Sequence, residues 1–253
     1  MYERELHFAH SLADRAADIA MGFYEGGFEI RQKSDSTPVT EADLAVEAMV
    51  RQLIAEEFPG DAVLGEEHGR TGSGGRLWVI DPIDGTKNFA AGIQIWGTLL
   101  ALVVDDEPVV GVVGAPALGE RYGAAAGSGA TLNGERIHVS DRSTLKESLV
   151  SFAGLSDWRT GPFVRGFDEL MSAAGRTRGF GDFWGHVLVA RGAVDVMIEA
   201  ALNTWDWAAL AVIVREAGGR MTQLDGSPLA DKESVLTTNG VLHDAVVAMF
   251  TGD

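Results

Sequence analysis

Leu77-Trp78-Val79-Ile80-Asp81-Pro82-Ile83-Asp84-Gly85-Thr86 is the stretch that decides the fold. Four apolar residues predict a buried strand, and the two carboxylates, proline, glycine and hydroxyl that follow predict a turn at its carboxyl end. In open α/β sheets that end of a strand is where ligands bind. Two acids held this close repel each other unless protons or metal ions lie between them. Hard oxygen ligands with no neighbouring Cys or His point to Mg²⁺, with Mn²⁺ as an alternative, rather than Zn²⁺.

On the amino-terminal side, Leu6, Ala9, Ala13, Ala16, Ala20 and Phe23 recur at helical spacing and predict a helix over 3–24. A polar loop at 33–38 leads to Thr40, an N-cap for a second helix reaching residue 58. Asp43 falls in the first turn of that helix, where capping is the simplest role for it. A strand over 62–65 delivers Glu66 and Glu67. The glycine-rich 69–75 lacks the Lys-Ser or Lys-Thr of a P-loop and is expected to be flexible filler.

On the carboxyl side, apolar segments at 95–104, 108–115, 122–126 and 137–139 predict an antiparallel meander. Its turns are marked by Asp105-Asp106-Glu107-Pro108 and Asn133-Gly134. From Ser143 onward, strands at 149–153, 194–199 and 235–238 alternate with helices at 161–174, 183–192, 205–217 and 240–250. The class is α/β, with an amino-terminal α+β half over 1–142 and a carboxy-terminal α/β half over 143–253 forming one compact catalytic unit.

Composition narrows the function. The 253 residues are 46% apolar and 23% charged, as in an ordinary soluble globular protein. No cysteine is present, which excludes disulfides, thiolate nucleophiles and Cys-based zinc or iron–sulfur sites. The six histidines include no His-x-x-x-His pair. A net charge of -17 would repel nucleic acid and anionic membranes, so neither is an expected partner, although solubility alone accounts for the acidity. The charged start Met1-Tyr2-Glu3-Arg4-Glu5 carries no signal-peptide pattern. The most apolar stretch, 95–104, is half the ~20 residues of a membrane span. A cytoplasmic protein is expected.

Glu66, Asp81, Asp84 and Asp206 reach the carboxyl ends of strands or the starts of helices from separate parts of the chain, and Asp206 alone would be assigned as a helix cap. Together, four motifs resemble the inositol monophosphatase family of lithium-sensitive, Mg²⁺-dependent phosphatases. They are Glu66-Glu67, Asp81-Pro82-Ile83-Asp84-Gly85-Thr86 with Asn88-Phe89, Trp205-Asp206 with Ala208-Ala209, and Glu216-Ala217-Gly218-Gly219. The resemblance runs nearly end to end, including Lys33 and Asn133-Gly134.

The resemblance implies a five-layer α-β-α-β-α sandwich, a homodimer, and two or three Mg²⁺ ions. It assigns Glu66, Asp81 and the Ile83 carbonyl to a first ion, and Asp81, Asp84 and Asp206 to a second, with Glu66 helping a third. It further implies that Thr86 orients the attacking water, that Asp43 accepts the Thr86 hydroxyl, and that the Gly85 and Thr86 amides cradle phosphate. The Asp81-x-x-Asp84 spacing differs from the Asp-x-Asp-x-Thr of phosphatases that form an aspartyl-phosphate, so direct attack by metal-activated water is expected.

Two further carboxylates address the leaving group. Glu199 lies where inositol-type members place a substrate-binding Glu, and Asp182 in Arg178-Gly179-Phe180-Gly181-Asp182-Phe183 resembles the histidinol-phosphate phosphatases of the family, actinobacterial ones in particular. A carboxylate suits an ammonium-bearing ester better than a polyol. Arg178 joins Asp182 and Glu199 as a candidate substrate-binding residue, with a structural Asp182–Arg178 salt bridge as the competing assignment. The expected substrate is therefore a small-molecule phosphate ester, L-histidinol phosphate first, with inositol-1-phosphate or sugar phosphates as the alternative. A regulatory binding protein with secondary catalysis is the alternative of another class. Lys87 is assigned equally to phosphate or solvent, His186 to packing, Trp96 to core or pocket, and Asn239 to a cap or the active site.

Overall fold

A computed structural model gives the architecture over residues 1–26, 30–32 and 38–252, and Lys33 lies outside the described residues. The first helix, α1 (Glu3–Gly26), is followed by a short antiparallel ribbon, β1 (Ile30–Gln32) and β2 (Pro38–Thr40), and by α2 (Glu41–Glu57). A capping box starts α2: the Thr40 N–H donates to Asp43 Oδ2 at 2.8 Å, and the Asp43 N–H approaches Thr40 Oγ1 at 3.4 Å.

The large sheet comprises β3 (Ala62–Gly65), β4 (Gly69–Thr71), β5 (Arg76–Asp84), β6 (Gly97–Val104), β7 (Glu107–Ala115), β8 (Glu120–Ala125), β9 (Gly129–Leu132) and β10 (Glu135–Arg136). A single turn of helix, α3 (Thr86–Ala90), interrupts it after β5. Strand order is β10-β9-β8-β7-β6-β5-β3-β4, antiparallel except where β3 runs parallel to β5. The second sheet is mixed, in the order β12-β11-β13-β15-β14, from β11 (Leu149–Phe152), β12 (Arg176–Arg178), β13 (Val196–Leu202), β14 (Arg220–Thr222) and β15 (Glu233–Thr238). Four helices accompany it: α4 (Val164–Ala173), α5 (Asp182–Ala190), α6 (Thr204–Glu216) and α7 (His243–Thr251).

Alternation along the strands sets the layers. Trp78 and Ile80 of β5, with Leu100 and Leu102 of β6, face Leu12 and Ala16 of α1 and Val46 and Ile54 of α2. Their neighbours Val79, Leu99 and Ala101 face the other way, onto Phe183 and Val187 of α5 and Leu210 and Ile213 of α6. The far side of α5 packs Leu188 and Val189 on Met197 of β13. Val150, Ile198 and Leu236 then cover Phe167 and Leu170 of α4 and Val246 of α7. Helices, sheet, helices, sheet, helices: the five-layer α/β sandwich is present. Among the described residues no helix is long and apolar enough to cross a membrane.

The main elements fall where the periodicity predicts them, with three corrections. Residues 69–71 form the edge strand β4, because the chain turns back at Gly69 (φ 64°) and pairs with β3. The expected strand at 137–139 is displaced. The Asn133-Gly134 turn, with φ of 50° and 84°, joins β9 to β10, and the Val139 N–H bonds instead to the Ala217 carbonyl at the end of α6. Strands β12 and β14 carry no periodic signal in the sequence, and β14 joins the sheet antiparallel to β15. Gly218-Gly219 does stop α6, by bonds from the Gly218 N–H to the Arg215 carbonyl and from the Gly219 N–H to the Val214 carbonyl.

Candidate active site

An irregularity in β5 builds the centre of the site. Asp81 pairs with Leu99 and Asp84 with Gly97, so three steps on β5 oppose two on β6. In a regular strand an odd step would send the two side chains to opposite faces; the extra residue brings them to one side. Pro82 supplies no N–H at the break, and its carbonyl accepts the Thr98 hydroxyl at 2.8 Å. Gly85 follows with φ 81°, and a Cβ there would meet the Ile95 carbonyl oxygen at 2.9 Å, so glycine is required.

Asp206 comes from the first turn of α6. Its Oδ2 accepts the Asn203 N–H at 2.7 Å, and carboxylate oxygens of Asp81, Asp84 and Asp206 lie within 4.8 Å of one another. Glu66, at the end of β3, lines the same cleft as this trio, together with Ile83, Gly85, Thr86, Lys87 and Asp182. Asp43 stands behind it. The Thr86 hydroxyl is 2.9 Å from the Ile83 carbonyl and 3.4 Å from Asp43 Oδ1, so its single proton favours the Ile83 oxygen. Asp43 therefore caps α2 and also reaches Thr86.

The start of α5 closes the other side. The Phe183 N–H donates to Asp84 Oδ2 at 2.6 Å, and Asn88 Nδ2 donates to Asp182 Oδ2 at 2.9 Å. The Asp182 backbone N–H faces Glu199 and favours its charged form, against the burial that raises it. Asp182 has φ 55°, a left-handed backbone that Asp tolerates better than most residues. Arg178 is not brought to the cleft: it lies exposed on β12, and its Nη1 donates to the Thr177 carbonyl. The Asp182–Arg178 salt bridge is not formed, because Asp182 is held by Asn88 instead.

Carboxylates dominate the electrostatics. Burial, then Glu66, Asp84 and Asp206, push Asp81 well above the usual carboxylate range. Burial, then Asp182 and Asp206, do the same to Asp84, and burial pushes Asp206 up to about 7. Asp43, Asp182 and Glu199 are raised too, in each case first by burial. Among the described residues no Lys or Arg forms an ion pair with Asp81, Asp84, Asp182, Glu199 or Asp206. The nearby cation acting on Asp182 is Lys87. Asp81 Oδ1 is buried without a hydrogen-bond partner. A cluster of hard oxygens, one of them orphaned, fits a divalent cation of the Mg²⁺ type.

Several supporting residues escaped the sequence reading. Glu47, one turn along α2 from Asp43, accepts the N–H groups of Glu67 and His68 at 2.7 and 3.1 Å and so fixes the turn carrying Glu66. Its signal was a charged residue on the buried face of α2. Asn88, quoted with Phe89 in the Asp81 motif but given no role there, orients Asp182, and Asn203, which nothing in the sequence marks, orients Asp206. Trp96 does not line the cleft; it is fully buried, edge-on to Phe89 at 4.8 Å. Asn239 accepts the Leu242 N–H at 3.1 Å, near the start of α7.

Comparison with known proteins agrees with this layout. The family model "Inositol monophosphatase family" matches residues 1–251. The histidinol-phosphatase of Mycobacterium tuberculosis is 46% identical over 98% of both chains. That of Streptomyces coelicolor is 43% identical over 97% of this chain and 96% of its own. The solved inositol monophosphatase of Zymomonas mobilis superposes with a TM-score of 0.88 at 33% identity, covering 99% of each chain. Likeness on this scale, over a cleft built from the motif carboxylates, makes the chain a phosphomonoester hydrolase belonging to the inositol monophosphatase family.

Proposed function

We propose that the protein hydrolyses L-histidinol phosphate to L-histidinol and inorganic phosphate, a step of histidine biosynthesis, as a Mg²⁺-dependent cytoplasmic homodimer. The observation that carries this is Asp182: a carboxylate at the cleft, outside the acidic trio, with no Lys or Arg ion-paired to it among the described residues. It matches a leaving alcohol that bears an ammonium group, which inositol and sugar phosphates lack. The relatives named histidinol-phosphatase support the same assignment.

In this reading Glu66, Asp81, the Ile83 carbonyl, Asp84 and Asp206 hold two or three ions. Bound Mg²⁺ would neutralise the phosphate oxygens and acidify the attacking water. The protein's own groups do the positioning. The Gly85 and Thr86 amides take phosphate oxygens against a backbone that no side chain obstructs. The Thr86 hydroxyl orients the water, with Asp43 holding the Thr86 side of the cleft. Asp182 and Glu199 meet the leaving group, whose oxygen takes up a proton as the P–O bond breaks.

A phosphate-release panel of histidinol phosphate, inositol-1-phosphate and fructose-1,6-bisphosphate, with and without Mg²⁺, tests the assignment. Histidinol phosphate should give the highest kcat/KM. Asp182→Ala should cut that value roughly ten- to a hundredfold relative to a neutral ester. Preference for inositol-1-phosphate, or equal losses on both esters, would overturn it.

A further inference from the structure

Beyond Asp182 lies an inner pocket of about 140 Å³ with apolar walls from Phe183, Leu202 and Leu210. Its polar lining is Asp84, Asp182, His186, Glu199 and Asp206, and two of these have a buried atom without a hydrogen-bond partner: His186 Nε2 and Glu199 Oε1. Neither side chain is needed to hold the fold by that atom, and a buried polar group left unmatched is uncommon in a native protein.

The protonation of His186 follows from its other nitrogen. Nδ1 lies 2.7 Å from the hydroxyl of Thr237, a fully buried residue of β15. Among the described residues that hydroxyl has no other hydrogen-bond partner, so its proton goes to Nδ1. The ring then carries its own proton on Nε2. Complete burial keeps it neutral, with a pKa of about 3. Beside the Asp84, Asp182 and Asp206 carboxylates, the pocket therefore presents one unmatched donor, the His186 Nε2–H, and one unmatched acceptor, Glu199 Oε1.

We propose that this pocket is a subsite for the neutral imidazole ring of the leaving alcohol, with His186 as a specificity-determining residue. The ring N–H donates to Glu199, its bare nitrogen accepts from His186 Nε2–H, and its faces lie against the apolar walls. An ammonium has no acceptor for the Nε2–H and belongs at Asp182. This subsite rests on the amino-alcohol ester reading given above.

The test uses the full-length, Mg²⁺-loaded protein and two esters: histidinol phosphate, and phosphoethanolamine, which keeps the ammonium and lacks the ring. His186→Leu should lower the ratio of their kcat/KM values by roughly tenfold or more, and His186→Gln, which restores an N–H, should recover part of it. An unchanged ratio in His186→Leu would overturn the subsite and leave the substrate assignment standing. A wild-type protein inactive on histidinol phosphate would instead overturn the assignment and the subsite with it. A second measurement needs no variant. Ring-¹⁵N-labelled L-histidinol bound to the wild-type protein with Mg²⁺ and phosphate should show one protonated and one bare nitrogen. The averaged pair of the free ring, as a merely hydrated pocket would give, counts against the proposal.

Discussion

Asp43 and Asp206 each stand at the third position of a helix and reach back to the residue that caps it. A carboxylate has two oxygens, so capping does not compete with a place in the cleft. Asp206 turns Oδ2 to the Asn203 N–H and still belongs to the acidic trio. The capping half was legible from one stretch of sequence. The other half depends on Asp81 and Thr86, which folding brings in from distant segments; it came only through family resemblance. Asp206→Asn separates the two roles, because an amide oxygen can still accept the Asn203 N–H but carries no charge. With chelator at pH 8, the variant should melt no lower than wild type, since a buried charge among like charges has gone. Its Mg²⁺-dependent phosphate release should fall roughly a hundredfold or more. A chelated variant that melts well below wild type would reduce Asp206 to a cap.

The β3–β4 hairpin shows why short elements were missed. A three-residue strand cannot display a period of two, so 69–71 looked like loop; its pairing comes from α2 instead. Glu47, fully buried, accepts from Glu67, His68 and Arg51 Nε, the last at 2.7 Å, while Arg51 Nη1 bonds to Thr71 Oγ1 at 3.0 Å. One carboxylate on a helix thus anchors the turn that delivers Glu66. Gly65 has no side chain because one would collide with that carboxylate. Glu47→Ala would leave two turn amides and part of a guanidinium unmatched and should cost about 2–4 kcal/mol in urea unfolding. If the turn positions Glu66 for metal, the Mg²⁺ concentration for half-maximal activity should rise, with partial recovery in Glu47→Gln. An unchanged Mg²⁺ dependence would confine Glu47 to stability. The long elements were legible because amphipathic periodicity over nine or more residues outweighs local accidents, whereas β12 and β14 are decided by the neighbours they pair with.

Across the whole molecule, net charge and buried site carboxylates set how stability responds to pH and metal. Burial raises Asp206 from the usual 3.8 to about 7, and Asp81 and Asp84 are raised as well. Folded carboxyls with raised pKa values bind more protons than the unfolded chain does. Their contribution is therefore fully present below about pH 4 and lost as pH rises through 7. His186 and His243 act in the opposite sense, because burial lowers them from 6.5 to about 3 and about 4. Their contribution is present above 6.5 and lost as pH falls toward those values. The two trends overlap below about pH 7.5, where neither can be read alone. Between pH 7.5 and 8.5 the histidines are largely neutral in both states, so the slope belongs to the acidic cleft. In chelator, melting temperature should fall across that window. Mg²⁺ replaces the departing protons, so the rise in melting temperature on adding it should be larger at pH 8.5 than at 7.5. Thermal unfolding at the two pH values, with chelator and with Mg²⁺, measures both slopes. A Mg²⁺ shift of equal size at both would mean that the ion is not held by these raised carboxylates.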